Sequence, residues 1–343
     1  MRQLTFQRRG ELRWEDVAEP VLLGEGDAIV RPLAVATCDL DAALMAGRAP
    51  LPGPFAFGHE FVAEVVEIAD DVTTVDVADR VIVPFQLSCG VCERCRRGLT
   101  GSCETAGAGA AYGMAPIARQ EWGGALSDLV LVPFADAMLV ALPATVEPTT
   151  VASVSDNVPD GWRAVAPPLD AVPRAPVLIV GGAGDVALYA VAVAVALDSE
   201  RVDYVDTDNR RLRVAETIGA NAIEQAVDGS RLGSYPVTVD HSGETVGLHS
   251  AIRSTEPEGT CTSTAIYFTS DTPLPLLDMY TRGITFRTSR VNARAVIPDV
   301  LVLISTGRLR PEVVTSAVVR WEDADSALAD LAAKTVVVRT TRS

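Results

Sequence analysis

The chain has 343 residues, of which 48% are hydrophobic and 22% are charged, and its formal net charge is −16. A chain of this length is too long to fold around one ordinary hydrophobic core, so we expect two domains. The negative charge and the lack of a Lys/Arg stripe exclude nucleic acid as an expected partner, because the average surface would repel a phosphate backbone.

The first residues predict neither export nor a membrane anchor. Residues 1–17, MRQLTFQRRGELRWEDV, carry charges throughout and lack the apolar stretch of a signal peptide. The most apolar window, 177–197, approaches the length of a membrane span, but a glycine turn and Asp185 interrupt it. We therefore expect a cytoplasmic protein without membrane contact, in which reduced cysteines favour metal binding over disulfides.

Metal-binding side-chain types accompany two early predicted strands. The alternating segment GDAIVRPLAV predicts a strand, and the following ATCDLD places Cys38 at its end. The segment FGHEFVAEVVEI carries His59 and Glu60 at the start of another strand. Taken alone, His59 is more typical of a hydrogen-bonded structural histidine than of a metal ligand.

Four of the six cysteines lie together in CGVCERCRRGLTGSC, at Cys89, Cys92, Cys95 and Cys103. Short C-x2-C steps let a tight turn present successive sulfurs to one tetrahedral zinc ion. Four protein thiolates leave no coordination position for a substrate, so this zinc would be structural. A disulfide pair or free redox thiols are the alternatives.

These motifs together resemble the zinc-dependent medium-chain alcohol dehydrogenases, over nearly the whole chain. The family shares the C-G-x-C-x-x-C-x7-C lobe, a GHE tripeptide about thirty residues earlier and an isolated cysteine before that. The resemblance implies an α/β protein with a GroES-like β-barrel catalytic domain at 1–157, including a structural zinc lobe at 89–103. It further implies a Rossmann doubly wound parallel sheet at 158–290 and a C-terminal return to the catalytic domain at 291–343.

The resemblance also implies a second, catalytic zinc held by Cys38, His59 and a carboxylate just before the cofactor domain. In SVSDNVPDGWRAV, Asp156 matches the aspartate-bearing segment of the polyol and formaldehyde dehydrogenase branches. Asp160 competes for this role, and Asp156 is also compatible with a plain helix N-terminal carboxylate. Glu60 is expected beside the metal, as an outer or exchangeable ligand.

The chain departs from the family at the groups that move the alcohol proton. Many members carry Ser or Thr, and often His, where this chain has Leu40 and Ala43. Water, Asp39, Asp41 or Glu60 would have to take over, or the reaction differs from simple alcohol oxidation.

A nucleotide-binding pattern follows in the second half. Four apolar residues predict a buried strand at 177–180, and a glycine turn and a small-residue helix come next. The turn fits G-x-G-x-x-G/A, with these candidate cofactor-binding residues: Gly182, Gly184, Asp185 and Val186. Asp185 is unusual, because an anion at that helix N-terminus opposes a bound pyrophosphate.

A second predicted strand, RVDYVDTD, ends in Asp206. A carboxylate there accepts hydrogen bonds from the adenosine ribose and repels a 2′-phosphate, which favours NAD over NADP. Arg211 occupies a position where NAD-using relatives also carry a basic residue. Arg210 and Arg211 are nevertheless able to meet a 2′-phosphate.

The activity implied by the resemblance is hydride transfer between NAD and an alcohol or polyol, or the carbonyl product. The active site is expected to face the nicotinamide, in a homodimer or homotetramer whose only other partner is a small-molecule substrate. Two rivals are a zinc-lobed nucleotide-binding relative without dehydrogenase activity, and an enoyl or quinone reductase of the same superfamily.

Near the C-terminus, Lys334 is the only lysine among the 29 Lys and Arg residues. This bias fits a GC-rich genome, and it also fits an acidic surface adapted to salt. The composition leaves both explanations open.

Overall fold

The computed structural model describes residues 1–118, 121–329, 331 and 333–340. The chain divides into two compact units. The first contains residues 1–159, 292–305 and 315–343, and the second contains residues 160–291 and 306–314. In these described ranges, no helix combines the length and the apolar character that crossing a bilayer demands.

The strands of the described residues are numbered in chain order. They are β1 (Arg2–Arg8), β2 (Glu11–Asp16), β3 (Ala28–Ala36), β4 (Phe55–Ala56), β5 (Glu60–Ile68), β6 (Arg80–Val83), β7 (Val130–Val132), β8 (Val140–Ala141), β9 (Val177–Val180), β10 (Val202–Asp206), β11 (Asn221–Glu224), β12 (Tyr235–Asp240), β13 (Thr255–Ser263), β14 (Thr285–Thr288), β15 (Ala317–Arg320) and β16 (Thr335–Val338).

The helices are numbered in the same way. They are α1 (Asp39–Met45), α2 (Glu93–Arg96), α3 (Ala115–Ala118), α4 (Ala135–Met138), α5 (Pro148–Val151), α6 (Asn157–Ala171), α7 (Val186–Ala196), α8 (Asn209–Ile218), α9 (Thr245–Ser254), α10 (Leu276–Arg282), α11 (Ala293–Ser305) and α12 (Ala324–Ala327). Short 3-10 turns cover Thr100–Ser102, Ala152–Ser155, Pro311–Val314 and Trp321–Asp323.

The first unit is built mainly on one largely antiparallel sheet. Its strand order is β15-β16-β3-β5-β6-β8, and β7 also pairs with β3. A smaller sheet has the order β2-β1-β4. The central strands β3 and β5 are rich in small and β-branched apolar residues, and most of their side chains are buried. These two strands form the core against which the site described below is built.

The last strand of the chain inserts between β15 and β3 of this sheet. β16 runs antiparallel to β3, with Val336 opposite Ala36. The backbone N–H of Thr37 donates to the carbonyl oxygen of Thr335 at 2.9 Å. The C-terminal segment therefore brings Lys334 next to the residues that follow β3, although nearly three hundred residues separate them in sequence.

The second unit contains a six-stranded sheet in which every strand pairing is parallel. Its strand order is β11-β10-β9-β12-β13-β14, so the chain order reverses beside β9. The four residues of β9 and nearly all of α7 are buried, as expected for a strand and a helix in the middle of a doubly wound sheet. Ligands of such sheets bind outside the carboxyl ends of the strands at the point of reversal.

Candidate metal centres and dinucleotide site

Strand pairing brings Cys38 and His59 together. β3 and β5 are antiparallel, with Ala36 at the end of β3 opposite Glu60 at the start of β5. Cys38 lies two residues beyond Ala36, at the N-cap of α1, and His59 directly precedes Glu60. The two side chains therefore emerge from the same edge of the sheet.

Asp156 reaches this edge through the turn at 152–155. The Oγ of Ser155 accepts a hydrogen bond from the backbone N–H of Phe61 at 2.8 Å. The Ser155 carbonyl accepts from the N–H of Phe85 at 3.2 Å. These bonds fix the turn against β5 and the end of β6. As a result, four donor atoms lie within 4.8 Å of one another, from Cys38, His59, Glu60 and Asp156.

The surroundings of His59 fit a metal ion. His59 is fully buried; its Nδ1 lies 3.6 Å from Asp41 Oδ1, and its Nε2 lies 3.5 Å from Asp156 Oδ2. Among the described residues neither ring nitrogen makes a hydrogen bond. A buried imidazole whose nitrogens make no hydrogen bond is costly, and a metal ion would satisfy the nitrogen that faces Asp156. Thiol, imidazole and carboxylate are also the ligand types that zinc takes in proteins.

The metal-free cluster retains protons that a cation would displace. Burial raises the pKa of the Cys38 thiol well above its usual value, and the carboxylates of Asp156 and Glu60 raise it further. Burial alone lowers the pKa of His59, but Asp41, Asp156 and Glu60 outweigh it and raise this pKa to about 9. Because metal ligands must be deprotonated, an incoming cation would replace these protons.

A buried lysine connects the members of this cluster. The Nζ of Lys334 donates to Glu60 Oε2 at 2.8 Å and to Asn157 Oδ1 at 2.7 Å. The Nδ2 of Asn157 in turn donates to Asp156 Oδ2 at 3.0 Å and lies 3.3 Å from Cys38 Sγ, to which it also donates. One ammonium group therefore supports Glu60 directly, and it supports Cys38 and Asp156 through Asn157.

The remaining candidates near this cluster have other partners. Asp160 forms a short ion pair with Arg163, and it is absent from the group of four converging donors in the described chain. Asp41 is buried, and its Oδ2 accepts from the backbone N–H of Cys38 at 2.8 Å. Leu40 and Ala43 are buried apolar side chains, which cannot relay a proton.

The second cluster is the cysteine lobe. The sulfurs of Cys89, Cys92, Cys95 and Cys103 lie within 4.8 Å of one another. Backbone N–H groups point at them, including Cys92 N to Cys89 Sγ at 3.3 Å and Cys95 N to Cys92 Sγ at 3.5 Å. Hydrogen bonds from the backbone of Cys95 and Glu104 lower the pKa of Cys92 to about 6. The four thiols fit a structural zinc with no open position.

The glycine turn of the second unit comes close to the end of β10. Gly182 has a φ of 132°, which a residue with a side chain rarely adopts. A Cβ atom on Gly181 would lie 2.5 Å from Asp206 Oδ2 and 2.4 Å from the Tyr204 hydroxyl. The turn therefore needs glycine at both positions. Predicted residues Gly184, Asp185 and Val186 follow directly, and Val186 is the first residue of α7.

Asp206 ends β10 and accepts hydrogen bonds on both oxygens. Arg211 Nε donates to its Oδ2 at 2.7 Å, and Arg211 Nη2 donates to its Oδ1 at 3.0 Å. The Tyr204 hydroxyl donates to Oδ2 at 2.5 Å. Burial alone would raise the pKa of Asp206, but the hydrogen bonds from Arg211 and Tyr204 lower it. The carboxylate is therefore held ionised at the edge where a ribose is expected.

Sequence reasoning missed two residues of the first cluster. Nothing in the sequence marked Asn157, which simply follows Asp156. Lys334 stood out as the only lysine, but its distance along the chain hid its place beside Glu60. Asp41 was considered only for proton transfer, whereas the structure places it against His59 and the Cys38 backbone.

Two protein families match consecutive parts of the chain. Residues 24–144 match the alcohol dehydrogenase GroES-like domain. Residues 150–338 match the C-terminal domain of alanine dehydrogenase/PNT. Together with the two sheets described above, these matches confirm the predicted fold class of a GroES-like barrel with a Rossmann sheet.

Individual proteins are similar over most of the chain. A probable zinc-binding alcohol dehydrogenase of Mycobacterium tuberculosis is 28% identical over 90% of this chain and 79% of its own length. A glutathione-independent formaldehyde dehydrogenase of Pseudomonas aeruginosa is 33% identical, over 58% of this chain and 51% of its own. The solved structure of alcohol dehydrogenase TADH from Thermus sp. ATN1 is 27% identical, with a TM-score of 0.90 over 99% of this chain and 100% of that one.

Proposed function

Because this chain belongs to the zinc-dependent medium-chain alcohol dehydrogenase family, we propose that it transfers hydride between an alcohol or polyol, or the corresponding carbonyl compound, and NAD. The observation that carries this proposal is that donor atoms of Cys38, His59 and Asp156 lie close together. The buried ring of His59 makes no hydrogen bond within the described residues. A binding protein that had lost its chemistry would have no need for this mixed donor set.

In the proposed site, Cys38, His59 and Asp156 hold the catalytic zinc, and the four lobe cysteines hold a structural one. When bound, the catalytic zinc would supply Lewis acidity that lowers the pKa of an alcohol, and the nicotinamide would accept the hydride. Asp41 lies 3.6 Å from Nδ1 of His59, on the side from which a carboxylate orients a metal-binding histidine.

The proton acceptor in this proposal is Glu60. Leu40 and Ala43 have no group that moves a proton, and both oxygens of Asp41 face other members of the cluster. Glu60 Oε2 is bonded to Lys334, but Oε1 is buried and makes no hydrogen bond within the described chain. Burial raises the pKa of Glu60 well above its usual value despite Lys334, which suits a group that must hold a proton transiently.

The substrate class rests on Asp156 and on one relative. The segment around Asp156 resembles the aspartate-bearing segment of the polyol and formaldehyde dehydrogenase branches, and this resemblance supports Asp156 as the third ligand. The Pseudomonas relative is named as a formaldehyde dehydrogenase that does not use glutathione. Short alcohols, polyols and formaldehyde are therefore the compounds to try first.

The preference for NAD rests on Asp206. Its ionised carboxylate at the end of β10 would accept the ribose hydroxyls and repel a 2′-phosphate. A reducing cytoplasm is also part of the proposal, because all six cysteines are free thiols and the lobe requires four thiolates.

We also propose that the protein assembles as a homodimer or homotetramer through the second unit. Within the described strands, β14 lies at the edge of its sheet and pairs only with β13. On α10, Leu276, Leu277 and Tyr280 are 66%, 75% and 86% exposed. An open strand edge beside exposed apolar side chains favours pairing with a second copy. Light scattering should give a multiple of 36.2 kDa, and Tyr280→Glu should shift it toward the monomer.

The proposed activity is tested on zinc-replete protein with alcohols, polyols and formaldehyde, using NAD and, separately, NADP. We expect two zinc ions per chain and formation of reduced nicotinamide with at least one substrate. Asp156→Asn should lose one zinc and the activity, whereas the matched variant Asp160→Asn should keep both, because Asp160 pairs with Arg163.

Three results would contradict the proposal. One zinc per chain together with no turnover of any compound would favour a nucleotide-binding relative without activity. Zinc-independent reduction of an enone or a quinone would favour the reductase alternative. Loss of zinc in Asp160→Asn and not in Asp156→Asn would show that the third ligand is wrong.

A further inference from the structure

We propose that Asp185 strengthens the preference for NAD over NADP that Asp206 creates, because it engages the guanidinium of Arg210 and keeps this arginine from binding a 2′-phosphate. The inference rests on the proposed use of a dinucleotide by this chain. It concerns a residue pair that the glycine pattern does not require, since the position between Gly184 and Val186 is variable in G-x-G-x-x-G/A.

Asp185 does not behave as an aspartate at a helix start usually does. It occupies the N-cap of α7, where an aspartate normally accepts hydrogen bonds from the N–H groups of the first turn. Its side chain makes no such capping bond in the described chain. Its Oδ1 instead accepts from Arg210 Nη2 at 2.6 Å, and the carboxylate is almost fully buried.

Arg210 reaches the glycine turn from the neighbouring strand and helix. β10 ends at Asp206, and α8 begins at Asn209, so Arg210 is the second residue of that helix. Arg211, next to it, binds Asp206 and places its Nη2 3.4 Å from the Gly182 carbonyl oxygen. Both guanidinium groups therefore lie between the acidic end of β10 and the turn that would receive the pyrophosphate.

The charges in this corner are paired in a specific way. Arg211 pairs with Asp206, and Arg210 pairs with Asp185. Asp208 caps α8 and lies 3.6 Å from Arg211. With Asp208 included, three carboxylates face two guanidinium groups, so the net charge of this group of side chains is negative. A 2′-phosphate would bring further negative charge to a corner that is already net negative, whereas the ribose hydroxyls of NAD bring none.

The Asp185–Arg210 pair also reduces the repulsion between an anion at the start of α7 and a bound pyrophosphate. Since Arg210 balances its charge, Asp185 repels a bound phosphate less than an isolated carboxylate would. If Asp185 loses its charge, Arg210 becomes available to a phosphate at the adenosine ribose. A charge-assisted hydrogen bond of this kind corresponds to about a tenfold change in affinity or more.

The test is the dissociation constants of NAD and NADP, measured by calorimetry on the zinc-loaded chain without substrate. In Asp185→Asn we expect NADP binding to strengthen about tenfold relative to NAD. In the double variant Asp185→Asn/Arg210→Gln this gain should disappear. Asp198→Asn is the matched control, because it breaks another 2.6 Å Arg–Asp pair, with Arg308, in the same unit.

The variants separate the proposed role from a general charge effect. Equal strengthening of NAD and NADP in Asp185→Asn would overturn the inference, because Asp185 would then act only as a fixed charge beside the pyrophosphate. A selectivity gain that survives in the double variant would overturn it as well, since Arg210 would not be the cause.

Arg210→Gln alone keeps the test decisive if Asp185→Asn folds poorly. We expect it to weaken both dinucleotides and to retain the NAD preference, and a loss of that preference would overturn the inference. Binding of NAD with an unchanged ratio in Asp185→Asn rejects this inference alone. A wild-type chain that binds neither dinucleotide rejects the proposed function together with it.

Discussion

The two thiol-containing clusters of the first unit differ in every property except their ability to hold a metal. The lobe has four sulfurs from fifteen consecutive residues, with backbone N–H groups as their main partners. The Cys38 cluster mixes thiol, imidazole and carboxylate from three distant parts of the chain, and side chains rather than backbone groups support it.

This difference is the one expected between a structural metal site and the reactive site proposed above. Four thiolates leave a zinc ion no open coordination position, so a lobe of this kind can contribute only stability. The Cys38 cluster is buried among carboxylates, whose charges are partly balanced by Lys334 and by a protonated His59 in the metal-free chain. Burying these charged groups costs desolvation free energy on folding, so function explains their arrangement more readily than stability does.

The largest expected effect comes from breaking the reactive cluster alone. Cys38→Ser should remove one of two zinc ions and reduce turnover about ten-thousandfold, because the Lewis acid is lost. The midpoint of thermal unfolding should fall less than it does when the lobe is broken, because only the stabilisation by bound metal at this cluster is lost. Cys261→Ser is the control, since Cys261 is buried in β13 and belongs to neither cluster. Full activity of Cys38→Ser would remove the distinction between the two sites.

Breaking the lobe should give the opposite result. Cys103→Ser should also cost one zinc, but it should lower the free energy of unfolding by about 4 kcal/mol, because structural zinc contributes directly to folding. Turnover per folded molecule should stay within a few-fold of the wild type. Zinc content, urea unfolding and initial rates measure the three quantities. A stable, inactive Cys103→Ser protein would contradict the structural role.

The next effect concerns the charge that balances the reactive cluster. Lys334→Met should lower the free energy of unfolding by about 3 kcal/mol, because it leaves Glu60 buried without its cation. Lys334→Arg keeps the charge and should lose less. Urea unfolding of the zinc-free proteins measures both. An unchanged stability of Lys334→Met would mean that Glu60 is neutral in the folded chain.

The smallest effect is expected from the asparagine that connects Lys334 to the metal ligands. Asn157→Ala should weaken zinc binding at the Cys38 site about tenfold, because Cys38 and Asp156 lose the hydrogen bonds that hold them in place. In the cobalt-substituted protein it should shift the thiolate band, because Cys38 Sγ loses a hydrogen bond. Asn292→Ala is the matched control, because it removes an asparagine that supports the lobe: the Oδ1 of Asn292 accepts a hydrogen bond from Gly101 N at 2.9 Å. Identical spectra for wild type and Asn157→Ala would contradict this role.

The comparison also explains what the sequence was able to predict. The lobe is encoded locally, so the spacing of its cysteines was enough to propose a metal site. The strand before the glycine turn and the strand ending at Asp206 were predicted at the positions where the structure has them, because short apolar runs with a glycine boundary are strong signals. Both belong to the fold class that the family matches confirm.

The supporting residues of the reactive cluster were beyond such reasoning. Asn157 and Lys334 act through contacts between positions 177 residues apart, and no periodicity encodes a contact of that kind. The conformation of Asp185 was equally hidden, because its pairing depends on how α7 and α8 present their first turns. The assignment of Cys38, His59 and Asp156 as catalytic ligands stays a prediction, to be decided by the variants above.

The burial of the single lysine gives the protein an unusual response to proteolysis. A protease that cleaves only after lysine has one peptide bond to attack in 343 residues, and that residue is 3% exposed. Cutting there requires Lys334 to leave Glu60 and Asn157, so the cleavage rate reports how often β16 detaches from the sheet. The rate of cleavage at this bond therefore measures local opening around the Cys38 cluster, and bound metal should slow that opening.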